Sequence, residues 1–118
     1  MSDTVFRDRS GTQWRVQMTI SIAETLRRHF QIDWINKPGE SVNDPQSIWQ
    51  TLWEMVRDQA NGMGIGEDEF DARIASDDVV RLASRAVLEA LSDFFHQIRR
   101  PGIARMMKTT AKHWTDGN

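Results

Sequence analysis

The stretch that most constrains how this chain folds is "VVRLASRAVLEALSDFFHQIRRPG", residues 79 to 102. As one α-helix, at about 100° per residue, it places its apolar side chains on an arc of about half the circumference. A helix packed on one side of a small domain usually needs an apolar stripe of only a little over ~100°. We therefore predict that this helix is either covered on two sides or offers a face to a partner. The arc comprises Val79, Val80, Ala83, Ala86, Val87, Leu88, Ala90, Leu91, Phe94, Phe95 and Ile98.

Length and composition indicate one cytoplasmic domain spanning residues 1 to 118. A chain of this length buries about two-thirds of its unfolded surface, which is enough for its own core. It contains no cysteine, which excludes disulfides and thiolate metal sites and fits a reducing compartment. The sequence shows neither a secretory signal nor a run of ~18 apolar residues, so we expect no membrane contact.

The N-terminal residues have the alternating pattern of a half-buried strand. In "QWRVQMTI" the side chains of Trp14, Val16, Met18 and Ile20 share one face. The preceding "DRSGTQ" supplies a turn in which Gly11 suits a left-handed backbone position. We predict a β-hairpin over residues 4 to 20, with its apolar face on the helices that follow, because an isolated two-stranded hairpin is marginally stable.

Residues 21 to 100 carry the signals of a helical body. Ser21 and Glu24 match a capping box, which predicts a helix from about residue 22 to residue 31. The polar segment "NKPGESVND" is predicted to be a linker. Its last residue, Asp44, precedes Pro45 and predicts the start of a helix that runs to about residue 60.

The remaining signals predict two further helices and a C-terminal one. The acidic "EDE" opens a short helix through Phe70 and Ile74, and Ser76 begins the long helix, which must end near Arg100 because Pro101 follows. Residues 101 to 118 are predicted to form a basic C-terminal helix and tail. The predicted fold is therefore α+β and mostly α, an N-terminal β-hairpin packed on four to five helices.

No motif in the chain predicts chemistry. His29, His96 and His113 lack metal-ligand spacing, and "GMGIGED" lacks the Lys-Ser/Thr of a phosphate-binding loop. There is no G-x-S-x-G serine and no cysteine nucleophile. We therefore expect a protein that is not an enzyme, without catalytic, cofactor-binding or metal-binding residues.

A basic segment near the C-terminus raises a nucleic-acid hypothesis, since Lys and Arg near aromatic residues hold phosphates and stack on bases. The density of cations is low, and the acidic middle of the chain would repel a polyanion. The sequence thus disfavours nucleic-acid binding without removing it as an alternative. The candidate basic patch comprises Arg99, Arg100, Arg105, Lys108 and Lys112.

Three patterns carry a resemblance to a known family. They are F-x-D-x-x-G-x-x-W-x-V from Phe6 to Val16, a glycine, glutamate and phenylalanine pattern between Gly64 and Phe70, and the phenylalanine pair after residue 93. With the order of elements, they make residues 4 to 100 similar to the tail assembly chaperones of tailed phages and prophages. The resemblance implies a non-enzymatic role, because such chaperones bind the hydrophobic, helical tape measure protein and keep it soluble during tail assembly.

Large apolar side chains at helical spacing suit the capture of an amphipathic client helix, although each is also an ordinary core residue type. A structural adaptor subunit of a phage particle is the alternative function beside nucleic-acid binding, and self-association through the broad helix faces or a hairpin edge is also expected. The candidate interface with a protein partner, the tape measure or another tail protein, comprises Trp49, Trp53, Phe94, Phe95, Met106 and Met107.

Overall fold

The computed structural model describes residues 4–115, with side chains described as far as Lys112. Residues 1–3 and 116–118, which include the end of the predicted tail, lie outside the described residues. The predicted class, α+β and mostly α with an N-terminal hairpin, is confirmed. The elements are β1 (Thr4–Arg7), β2 (Gln13–Val16), α1 (Ile20–Phe30), α2 (Pro38–Val42), α3 (Pro45–Gly62), α4 (Glu67–Arg73), α5 (Asp77–Gln97) and α6 (Pro101–Thr115).

Helix α5 is the centre of the fold and is covered on two sides. Helix α6 packs along one side, and β1, β2 and α3 contact it elsewhere. The Ser92 hydroxyl donates to the carbonyl of Ala104 (2.9 Å). This hydrogen bond joins α5 to α6 at a point where both residues are buried. Nearly all of the predicted apolar arc is buried, with only Val80 and Ile98 half-buried. The wide arc is therefore explained by packing within the chain.

The hairpin pairs β1 with β2 in antiparallel register, with Phe6 opposite Trp14. Gly11 has a left-handed φ of 84° in the turn, as predicted. The alternation holds through Met18, which is buried with Trp14, but Ile20 is 55% exposed. The prediction for Ile20 was wrong because the chain has already entered α1 there, which ends the two-residue period.

Two local predictions in the helical body were also wrong. Thr19, rather than Ser21, caps α1, since its hydroxyl accepts from the N–H of Ile22 (3.1 Å). The predicted linker contains α2, which starts at Pro38 and raises the number of helices in the described chain to six. A helix of five residues is too short to show an apolar period. The caps predicted at Asp44 and Ser76 are confirmed.

Candidate functional site: a tryptophan groove

The structure separates the predicted interface residues into two groups. Phe94, Phe95 and Met107 lie in the core, each at most 2% exposed, so none of them offers a side chain to a partner in this conformation. Their placement corrects the interface assignment. They belong to the buried core of α5 and α6, and the rings of Phe94 and Phe95 lie with their centroids 5.4 Å apart. Met106 is half-buried against the same core.

Trp49 and Trp53 are the predicted interface residues that line an open groove. They lie one turn apart on α3, so both indoles project from the same face of that helix, and both are half-buried. The groove between α3, α4 and the start of α5 has a volume of about 360 Å³. We call it the tryptophan groove. Its lining consists of Gln46, Trp49, Gln50, Trp53, Glu67, Phe70, Asp71, Ile74, Ala75 and Val80.

The floor of the groove is a cluster of aromatic rings that reaches into the core. Phe70, which is 1% exposed, lies 5.6 Å from the ring of Trp53 and 4.9 Å from that of Trp14, the latter edge to face. Trp14 is fully buried in the hairpin. The solvent-facing indole of Trp53 is therefore supported through Phe70 by a rigid part of the fold, and the groove is held open by packing.

The α4 wall is placed by the loop that precedes it. The N–H of Ile65 donates back to the carbonyl of Ala60 (2.9 Å), and the intervening Gly64 has a left-handed φ of 72°. Ile65 itself is buried, which anchors the turn. The glycine-rich "GMGIG" is thus a turn that places Phe70 of α4 against Trp53 of α3, the structural role that its sequence context favoured.

A buried carboxylate, that of Asp8, organises the hairpin turn. It accepts hydrogen bonds from the backbone N–H groups of Ser10 (2.8 Å) and Thr12 (3.0 Å) and from the indole N–H of Trp14 (2.8 Å). The F-x-D-x-x-G-x-x-W pattern therefore has a physical basis, because its Asp, Gly and Trp build one closed turn. Sequence reasoning identified this pattern but did not assign the carboxylate its role.

Arg73 links this turn to α4. Its guanidinium lies 3.5 Å from the Asp8 carboxylate and 2.8 Å from that of Glu69, and its carbonyl accepts from the N–H of Arg9 (2.9 Å). Burial raises the pKa of Asp8, but the hydrogen bonds to the carboxylate and the Arg73 charge outweigh burial, and the pKa is lowered overall. The α4 wall is thereby fixed to the hairpin on the side away from the groove.

The charges that line the groove are all negative. Glu67 and Asp71 are exposed on α4, and no Lys or Arg is among the described lining residues. Partial burial, and secondly the neighbouring Asp68 carboxylate, raise the pKa of Asp71. A lining with two indoles, aliphatic side chains and two carboxylates suits a ligand that is apolar, cationic or both.

The indole N–H groups show which tryptophans are free to bind. Trp14 donates to Asp8, and Trp34 donates to the Thr51 hydroxyl (2.9 Å). Among the described residues, no acceptor bonds to the indole N–H of Trp49 or of Trp53. Every buried side-chain nitrogen or oxygen of the described residues has a hydrogen-bond partner, so these two unpaired N–H groups are not buried. The N–H groups of these two indoles are therefore open to solvent and available to a ligand.

The candidate basic patch does not take part in the groove. All five of its residues are exposed, and Arg105, Lys108 and Lys112 share one face of α6. Arg100 instead donates a hydrogen bond to the carbonyl of Ile35, and Arg99 has a left-handed φ of 63° at the end of α5. Two of the five side chains therefore sit in the connection between helices, while three form a single solvated stripe.

A second depression, of about 330 Å³, lies between the end of the hairpin and α5. Phe94 lines it, but at 2% exposure the ring contributes almost nothing to its surface. Thr4, Val16, Met18 and His96 lie beside Phe94. No tryptophan is among the described residues that line it, so this depression differs from the tryptophan groove in offering no partly exposed indole.

No protein-family model, no curated protein and no solved structure matches this chain. Within residues 4–115, no helix combines the length and apolar character needed to cross a bilayer. No three acidic or histidine side chains of the described part are arranged to hold a metal ion. What bears on function is therefore the chemistry of the groove itself.

Proposed function

We propose that this protein binds a hydrophobic helical segment of a protein client in the tryptophan groove, as a phage tail assembly chaperone-like protein that keeps the tape measure protein soluble. The observation that carries the proposal is the position of Trp49 and Trp53, which line an open groove while Trp14 and Trp34 are sealed in the core. An aromatic pair that is supported from below and open above is typical of a binding surface.

The shape and lining of the groove suit one face of an amphipathic helix. Such a helix presents apolar anchors at positions i, i+3 or i+4, and i+7, which the indoles together with Ile74 and Val80 can contact in turn. Burying two aromatic anchors supplies about 1.5 to 3 kcal/mol each before ordering costs. The expected complex is weak and reversible, which suits a chaperone that must release its client.

The test is binding of fluorescently labelled helical segments from the tape measure protein of the same phage genome, measured by anisotropy. We expect Trp49→Ala and Trp53→Ala to weaken binding about tenfold or more, as hot-spot aromatic residues do. Leu82→Ala is the matched control, because Leu82 is an apolar residue, 50% exposed, that lies outside the groove. Circular dichroism verifies that each variant is folded.

Two results would contradict the proposal. Binding that survives both tryptophan substitutions would remove the groove as the client site. A complex of fixed stoichiometry with other tail proteins, formed equally by both variants, would favour the structural adaptor. Light-scattering mass measured beside the titration identifies self-association, in which a second copy covers the groove and competes with the client.

A further inference from the structure

We infer that the segment bound in the tryptophan groove carries an arginine, whose guanidinium stacks on Trp49 or Trp53 and pairs with Glu67 or Asp71. This inference rests on the proposed function and specifies the chemistry of the partner. A purely apolar client would need only the indoles and the aliphatic side chains. The two carboxylates in the same lining are what point to a cation.

The acidic residues of α4 divide into a paired side and an unpaired side. Glu69 binds Arg73 at 2.8 Å on the side that faces the hairpin. Glu67 and Asp71, four residues apart, lie on the groove side, and neither forms an ion pair with any described residue. Like charges at this spacing destabilise an isolated helix, and a cation between them would remove the repulsion.

The dipole of α4 does not account for Asp71. Carboxylates in the first turn of a helix interact favourably with its N-terminus, which explains Glu67, Asp68 and Glu69. Asp71 is the fifth residue of α4 and lies beyond that turn, where the effect has fallen away. The helix dipole therefore does not stabilise the Asp71 carboxylate, and a cation bound in the groove would.

The geometry favours arginine over lysine. A guanidinium is planar, so it stacks on an indole while its edge donates to a carboxylate, and it is more weakly hydrated than an ammonium. Trp49 and Trp53 on α3 and Glu67 and Asp71 on α4 line the same groove. A side chain that enters between the walls meets both, and its aliphatic stem contacts Ile74 or Val80.

The experiment compares two synthetic amphipathic helical peptides that are identical except for one central residue, arginine in one and its neutral isostere citrulline in the other. Binding is measured at low salt and at about 0.5 M salt, where exposed charges are screened beyond a few ångströms. We expect the arginine peptide to bind about tenfold more tightly at low salt, and we expect this ratio to shrink at high salt.

The protein variants separate the charge from the apolar contribution. In Glu67→Gln with Asp71→Asn we expect the two peptides to bind equally, at the affinity of the citrulline peptide. Trp53→Ala should weaken both peptides. Both carboxylates are exposed, so the double substitution leaves the core unchanged.

Nuclear magnetic resonance supplies a second readout that does not depend on the peptide sequence. N-acetyl-arginine amide at millimolar concentration should shift the indole N–H signals of Trp49 and Trp53, while those of Trp14 and Trp34, which are held by internal acceptors, stay in place. N-acetyl-citrulline amide should shift none of them.

Equal affinity for the two peptides, with both lost in Trp53→Ala, would overturn the arginine inference and leave the proposed function intact. Binding of neither peptide, with no shift at Trp49 or Trp53, would overturn both. Preference for arginine that persists in the double carboxylate variant would also overturn the inference, since the cation would then be recognised elsewhere.

Discussion

The hairpin turn and the tryptophan groove are built from the same residue types and lie on opposite sides of α4. In the turn, the Asp8 carboxylate and the Trp14 indole satisfy each other and are sealed from solvent. In the groove, Asp71 and Trp53 are both accessible and have no such partner among the described residues. The difference teaches that a tryptophan and an aspartate close a structural turn where they bond to each other, whereas in the groove the same residue types remain accessible to solvent.

The largest expected difference between the two regions lies in their tryptophans. Trp14→Ala should lower the free energy of unfolding by about 3 to 5 kcal/mol, because it empties a fully packed site and removes one of the three hydrogen-bond donors to Asp8. Trp49→Ala should cost about 1 kcal/mol, since half-buried side chains leave no cavity. Urea unfolding followed by circular dichroism measures both. Equal losses would mean that the groove is as much a part of the core as the turn.

Asp8→Asn should be the next largest effect, lowering the unfolding free energy by about 1.5 to 3 kcal/mol at neutral pH, because an amide cannot replace a carboxylate that accepts from three donors. The pKa of Asp8 is lowered from 3.8 in the folded chain. Its stabilisation is therefore complete above the unfolded value and is lost as the pH falls through the lower folded value. The gap between wild type and variant should narrow in acid unfolding curves, and a gap independent of pH would contradict this account.

Two glutamines on α3 offer a comparison at about 1 kcal/mol. Gln59 closes the outer edge of β2, accepting from the N–H of Arg15 (3.1 Å) and donating to the carbonyl of Gln13 (2.9 Å). Gln50 lines the groove. Gln59→Ala should cost about 1 kcal/mol and leave the strand edge open, whereas Gln50→Ala should be near neutral. Both variants replace glutamine by alanine in α3, so the change in helix propensity is the same in each. Thermal unfolding of the two variants measures the expected difference in stability.

The smallest expected effect has the opposite sign. The pKa of Asp71 is raised by partial burial and by Asp68, so its charged form destabilises the folded state. Asp71→Asn should therefore stabilise the chain at neutral pH by a few tenths of a kcal/mol, about the size of an exposed like-charge pair. The gain should vanish in acid, where Asp71 is protonated in both states. A loss of stability in Asp71→Asn would show that a lysine or arginine of the chain already pairs with this carboxylate.

Local sequence signals predicted most of the elements. The alternation around Trp14, the caps at Asp44 and Ser76, and the apolar arc of α5 each depend on neighbours within a few residues, which the sequence displays directly. Helix α2 was missed because so short a helix is formed by its surroundings, and the start of α1 moved because Thr19 competed successfully with Ser21 as a cap.

The candidate site was only half predicted. Trp49 and Trp53 were identified from their spacing, but Ile74, Asp71 and Val80 belong to other helices and gave no signal that they would share a groove with them. Phe94 and Phe95 were assigned to an interface because a wide apolar arc looks the same whether a partner or other segments of the chain cover it. Contacts between distant segments leave no local pattern.

By itself, the sequence determined which residues form helices and strands, which faces are apolar, and that no familiar catalytic or metal-binding motif is present, because these follow from residue type and spacing. Only the tertiary structure decided which aromatic residues are sealed and which are open. Helical periodicity assigns a side chain to a face, but what lies over that face depends on how α4 and α6 return to the core, and that is set by packing across the whole chain.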